Sequence, residues 1–168
     1  MILKSIIISY STSSAPSTFS ASSAFFLFYL WPMVMHYSIS VGPFSRGFHI
    51  ITEEVKEAVV QWPENGLMHV FLKHTSAGLC INENADYTVR DDFKLFFERL
   101  APEDLPGILH DMEGPDDMPA HIKSTLTGVS VTIPIVKHQL DLGTWQGIYL
   151  CEFRNQARRR EITISIIE

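Results

Sequence analysis

Apolar and polar residues alternate with the two-residue period of a half-buried strand near both ends of this sequence. A helical period interrupts them only in the middle. His36-Tyr37-Ser38-Ile39-Ser40-Val41 alternates, and so does Leu67–His74, where Leu67, His69 and Phe71 face one way and Met68, Val70, Leu72 and His74 the other. Gly78–Ile81 follows as a further strand. Towards the C-terminus Val129, Val131, Ile133 and Ile135 alternate, Thr144–Phe153 is a long aromatic-rich strand, and Ile162, Ile164 and Ile166 alternate last. Between the groups, Val89, Phe93, Phe96, Phe97 and Leu100 recur at helical spacing, a stripe that predicts burial against a sheet. A second helix is expected from Asp116-Asp117-Met118-Pro119 through Leu126, stopping at Gly128, with the acids as cap candidates. Thr52 is the cap candidate of a short helix with Glu53 and Glu54 in its first turn. Strands clustered at both ends with helices between predict an α+β fold with mostly antiparallel pairing in one domain.

The charge is distributed unevenly. All 19 acidic residues stand at or beyond Glu53, whereas only Lys4 and Arg46 of the 13 basic residues precede it. The net charge of −6 argues against a protein that coats nucleic acid. Cys80 and Cys151 are too few for a disulfide framework and form no Cys-x-x-Cys pair, so a reducing compartment is expected. Residues 1–32 hold nine serines, one charge (Lys4) and the apolar run Ala24–Leu30. The run comes late for a signal peptide, and the arginines of a transit peptide are missing. Ala24–Met35 is too short and Pro-broken for a membrane span. Residues 1–34 are therefore expected to be a leader or a mis-assigned start outside the fold, with translation beginning at Met33 or Met35 and the domain running over 35–168. No membrane partner and a cytoplasmic location are expected, with organellar or secretory targeting by 1–34 as the alternatives.

No glycine-rich phosphate loop, Gly-x-Ser-x-Gly elbow or His-Glu-x-x-His helix is present. Polar residues instead bunch in three places: His74-Thr75-Ser76-Ala77-Gly78 with Asn82-Glu83-Asn84-Ala85-Asp86; His110 through Ser124; and Gly143-Thr144-Trp145-Gln146-Gly147. Imidazoles and carboxylates in loops suit a divalent metal such as zinc. Thr75, Ser76 and Ser124, with Lys123, could hold a phosphate. The plainer readings stand beside these. His69 is a packed or satisfied histidine, His36, His49 and His138 are surface or edge residues, the acids at 111–117 cap a helix, and Trp145 is core.

The stretches HTSAGLCINENAD (His74–Asp86), RDDF (Arg90–Phe93), EGPDDMPAHIKS (Glu113–Ser124), VTIPI (Val131–Ile135) and LGTWQGIYLCE (Leu142–Glu152) resemble the YjbQ family, uncharacterised protein family 0047, also called secondary thiamine-phosphate-synthase-like. The resemblance runs from about Tyr37 to the C-terminus. It implies a compact α+β domain of mostly antiparallel β-sheet layers with packed helices, assembled as a homotrimer with sites near subunit interfaces. It also implies a bound divalent metal, zinc first and magnesium as the alternative with a diphosphate substrate. His74, His110 and His121 stand at the positions carried over as ligands. Glu83, Asn84, Ser76, Lys123, Ser124 and Gln146 match other polar positions of the pattern, and Glu83, Asn84 and Gln146 are the catalytic candidates. The family name implies a transferase that joins a hydroxymethylpyrimidine diphosphate to a thiazole phosphate with loss of diphosphate. The sequence departs from the pattern at Phe153, where many bacterial relatives carry histidine, and over Leu105–Leu109.

Three functions remain in competition. The first is a metal-dependent transferase with Glu83 as general base or as anchor of a ligating histidine. The second is a hydrolase of a small phosphate ester using the same site, and the third a ligand-binding trimer without turnover. A small phosphorylated substrate is the expected partner of the first two.

Overall fold

A computed structural model describes residues 4–6 and 33–168. The strands are β1 (Lys4–Ile6), β2 (Val34–Val41), β3 (Gly47–Ile50), β4 (Asn65–Leu72), β5 (Ala77–Glu83), β6 (Ser130–Val136), β7 (Gln139–Leu140), β8 (Gln146–Glu152) and β9 (Arg160–Ile167). The helices are α1 (Thr52–Ala58), α2 (Thr88–Leu100) and α3 (Asp117–Thr127). Two sheets result, ordered β1-β2-β9-β4-β6-β7 and β3-β8-β5, and every strand pair is antiparallel.

The alternation read in the sequence sets the layers. Tyr37, Ile39 and Val41 of β2, Met68, Val70 and Leu72 of β4, Ile133 and Ile135 of β6 and Ile162, Ile164 and Ile166 of β9 turn one face of the large sheet inwards. They meet Ala77 and Leu79 of β5, Ile148 and Leu150 of β8, and Val55 and Ala58 of α1. A one-residue slip of β9 would expose three buried isoleucines, each worth about 1.5–3 kcal/mol of burial. The opposite face of the large sheet is mixed: His36 Nδ1 lies 2.9 Å from Ser165 Oγ and His69 Nδ1 lies 2.9 Å from Thr132 Oγ1, while Val136 and Ile167 are exposed there. His69 is thus satisfied, on an outer face that it shares with the exposed Leu67 and Phe71.

Strand β8 is central in the small sheet and is buried on both faces from Gly147 onward. Its second face carries Tyr149 and Cys151, which join Phe48, Phe153 and Ala120 in a smaller core closed by Phe93 and Phe97 of α2. The molecule is therefore a single domain of three layers: large sheet, small sheet and helices. The stripe expected to bury α2 does so only in part. Phe93 and Phe97 pack on Phe48 with ring centroids 5.2 and 5.4 Å away, whereas Phe96 and Leu100 are exposed. The reason is the width of the contact, since α2 leans on the short edge strand β3 instead of lying across a sheet.

Three local expectations are corrected. Thr52 does not cap α1; it is the first helical residue, and its hydroxyl accepts the Ile148 N–H at 2.9 Å, tying the helix to β8. Neither Asp116 nor Asp117 caps α3 through its side chain. Trp145 is not core; it is exposed. Of the segment 1–34, Lys4–Ile6 pairs antiparallel with β2 and Val34 opens β2, while the remainder of the expected leader up to residue 32 lies outside the described residues. Among the described residues no helix is long and apolar enough to cross a membrane.

Candidate functional site

Helix α3 has an anomalous buried face. Besides Pro119 and Ala120, it buries Asp117, Lys123 and Ser124, residue types that stay outside unless paired. The helix is pressed against β5: a Cβ on Gly78 would come within 1.9 Å of Thr127 Oγ1 and 2.9 Å of the Gly128 carbonyl oxygen. Glycine at 78 lets α3 approach, and Gly128 at φ +85° ends the helix there. Ser124 Oγ completes the seam by donating to the Ala77 carbonyl at 2.7 Å.

This close docking fixes a cluster at the start of α3. His110, Asp117 and His121 each offer one ligand atom within 4.8 Å of the others. Asp117 and His121 are four apart on one helix face, and His110 returns from the preceding loop. His110 Nε2 lies 2.8 Å from Asp117 Oδ2, His121 Nε2 lies 3.7 Å from Asp117 Oδ1, and the two rings are 5.4 Å apart. His121 Nδ1 is 3.0 Å from the Thr75 carbonyl oxygen; a carbonyl only accepts, so Nδ1 donates to it and Nε2 is the nitrogen that faces the cluster. Asp117 Oδ2 is buried and, among the described residues, has no hydrogen bond of proper geometry in spite of its nearness to His110. A buried carboxylate with an imidazole near each oxygen is a donor set that suits a divalent cation.

The charges around the cluster are matched by two arginines. Arg154 pairs with Asp117, reaches Asp116 Oδ2 at 3.2 Å and donates to the Glu113 carbonyl at 2.8 Å. Asp116 Oδ2 also accepts the Asn155 N–H at 2.8 Å, which is what this acid does in place of capping α3. Arg160 is held by the fully buried Glu152 through two bonds of 2.7 and 2.8 Å. Its Nη1 lies 2.5 Å from His74 Nε2, while the Ser76 amide and hydroxyl lie 3.1 and 3.2 Å from His74 Nδ1. Burial first, then the Arg160 charge, pushes the His74 pKa below the ordinary histidine value. His74 thus remains neutral, with Nε2 turned to Arg160. The structure brings His110 and His121 together, and adds Asp117, not His74, as the third donor.

The phosphate set is brought together only in part: Thr75, Ser76 and Ser124 meet along the α3–β5 seam, whereas Lys123 does not join them. Thr75 is exposed and Ser76 is buried against His74. The Ser124 hydroxyl is committed to Ala77. Lys123 is two residues from His121 and so points elsewhere. It lies 1% exposed near Arg46, Glu98 and Glu103, and burial pushes its pKa down.

The three catalytic candidates stand together at the far end of β5, six residues of extended chain (about 20 Å) from Ala77. Asn84 Nδ2 donates to the Gln146 carbonyl at 3.1 Å, and Gln146 Oε1 accepts the Gly143 N–H at 2.8 Å, so both side chains shape the turn before β8. Glu83 lines an open cleft of about 580 Å³ with Ala85, Asp86, Tyr87 and Trp145. Its carbonyl accepts the Tyr149 hydroxyl. Arg154 and Arg160 are the residues that sequence reasoning missed as parts of the site, while for Asp117 it weighed a cation against a helix cap and favoured the cap. For Asp117 the spacing to His121 was the available signal, whereas the arginines sit in a C-terminal segment that carries no motif of its own.

A three-layer α+β domain with a His–Asp cluster where one helix meets the small sheet is the class that fold and site define. A family model described as UPF0047 protein YjbQ-like matches residues 37–168, and the chain belongs to that family. It is 43% identical over 131 residues to the UPF0047 protein YjbQ of Escherichia coli O157:H7, covering 77% of this chain and 94% of the relative. A UPF0047 protein of Synechocystis sp. is 50% identical over 112 residues, covering 66% and 76% respectively. A conserved hypothetical protein of Thermus thermophilus superposes with a TM-score of 0.68 at 37% identity, over 76% of this chain and 96% of that one. The fold is shared as well by a YbjQ-like protein of unknown function from Sulfolobus solfataricus (TM-score 0.69, 22% identity, 82% and 99% covered).

Proposed function

We propose that the protein is a divalent-cation enzyme acting on a small phosphorylated substrate, with His110, Asp117 and His121 holding the cation. The observation that carries this reading is the buried Asp117 carboxylate with one imidazole near each oxygen, its Oδ2 making no hydrogen bond among the described residues. Two nitrogens and one oxygen suit zinc better than magnesium, which prefers oxygen throughout. Bound there, the cation supplies charge neutralisation and Lewis-acid polarisation of a phosphate oxygen. The chain's own contribution is Arg154, which pairs with Asp117, is held by Asp116 and the Glu113 carbonyl, and so fixes the carboxylate of the cluster.

The reaction proposed is the transfer implied by the resemblance, in which a pyrimidine diphosphate is joined to a thiazole phosphate with release of diphosphate. Glu83 is the proposed base. It lies at the opposite end of β5 from the cluster, so it serves that site only if a second copy supplies it, and a homotrimer is part of the proposal for that reason. The exposure of His110, whose side chain is 55% accessible, favours water as the competing nucleophile. Hydrolysis of a small phosphate ester is accordingly the second reading. The purified full chain is incubated with zinc and the two phosphorylated substrates, separately and together. A coupled product found only with both supports transfer. Phosphate released from either alone supports hydrolysis.

A further inference from the structure

The RDDF stretch at Arg90–Phe93 has no part in the site described above. Phe93 belongs to the small core, but Arg90 and Asp91, with Lys94 one turn on, face a separate groove between α2 and β3. That groove has a volume of about 480 Å³, within the range of small-molecule sites. Its other wall is Phe44, Arg46, Gly47, Phe48, His49 and Ile50. It shares no lining residue with the His cluster or with the Glu83 cleft.

Its lining sets Arg46, Arg90 and Lys94 against Asp91. Arg46 is neutralised by Glu98 at 3.0 Å and by Glu103. Arg90 stands beside the Tyr149 hydroxyl, and neither Arg90 nor Lys94 is ion-paired among the described residues. They are four residues apart, so both project from one helix face. Asp91 is the only acid in the lining. Opposite, the Phe44 and His49 rings are stacked, with centroids 4.6 Å apart and planes 12° from parallel. His49 Nε2 lies 2.6 Å from the Ser45 carbonyl oxygen, which fixes that ring in place. Two available cations on one wall and a fixed aromatic plate on the other match a ligand with a planar ring and an anionic group.

We infer that the groove between α2 and β3 binds a free aryl phosphate monoester, its phosphate held by Arg90 and Lys94 and its ring against the Phe44–His49 stack. The test is calorimetric titration of the full chain, with metal removed by chelation, using phenyl phosphate, inorganic phosphate and phenol as probes. Phenyl phosphate is expected to bind, with inorganic phosphate about tenfold weaker and phenol without measurable heat. Lys94 is exposed, so Lys94→Glu leaves the fold intact and should reduce affinity at least about tenfold, and Phe44→Leu by a smaller factor. The double variant His110→Ala/His121→Ala should bind phenyl phosphate as the wild type does. Loss in the histidine variant with retention in Lys94→Glu would assign the binding to the cluster and overturn the inference. Equal affinity for phenyl phosphate and inorganic phosphate would remove the ring contact from it. A phosphotyrosyl peptide binding about tenfold more tightly than phenyl phosphate would overturn the free small molecule as occupant. Failure of this site leaves the cation proposal standing, because the two are read in different variants.

Discussion

The two ends of β5 solve opposite problems with similar residue types. At the Ala77 end the polar groups apart from the exposed His110 and Thr75 are largely enclosed and matched to one another: Glu152 with Arg160, Arg160 with His74, Arg154 with Asp117. At the Glu83 end they are open to solvent, and the surrounding aromatics, Tyr87 and Trp145, are exposed rather than packed. The enclosed end fixes geometry and depends on every partner being present. The open end can change without unfolding the domain. The difference shows that polar clustering in a sequence marks a site without telling which kind, because the decisive quantity is how far the groups are removed from water.

The largest effect is expected at the enclosed end. Glu152→Ala leaves the buried Arg160 uncompensated and should cost about 3–5 kcal/mol in chemical denaturation. A loss below about 1 kcal/mol would mean that Arg160 escapes to water, and the contrast between the ends would disappear. Gly78→Ala comes next, at about 1–3 kcal/mol, because the new methyl group must displace Thr127 and the end of α3. It should weaken metal binding in parallel, since α3 carries Asp117 and His121. Unchanged metal affinity in a destabilised Gly78→Ala protein would uncouple the seam from the cluster.

A smaller effect is expected from pH. The folded His74 pKa lies below its ordinary value of 6.5, so the unfolded chain binds the additional proton. The stability that neutral His74 contributes is complete above 6.5 and is lost as the pH falls through the lowered folded value. Melting temperatures measured across that window should decline less in His74→Gln than in the wild type. Equal declines would remove His74 as a source of the dependence. The smallest effect belongs to the open end, where Trp145→Ala should change stability by no more than about 0.5 kcal/mol. A loss of several kcal/mol there would show that the cleft is structural after all.

Most of the fold was legible because period-two alternation survives folding directly, as Met68-Val70-Leu72 and Ile162-Ile164-Ile166 illustrate. Strand β3 was not, since Gly47–Ile50 is only four residues long and takes its regularity from pairing with β8. The site was legible in location but not in assignment. Asp117 looks like a helix-start acid by position, and only the fold places it between His110 and His121. Lys123 and Ser124 look like phosphate ligands by type, and only burial shows them turned to the interior. Glu83 and His74 share one stretch of sequence yet stand at opposite strand ends, because an extended chain carries nearby residues far apart.

Metal content decides the central claim most directly. Elemental analysis of the purified wild type should find one zinc per chain, and Asp117→Asn, which keeps the shape but removes the charge, should lose it, with His121→Ala behaving alike and Trp145→Ala retaining it. Full zinc occupancy in Asp117→Asn and His121→Ala, or a wild-type protein that takes up no divalent cation when offered it, would contradict the account.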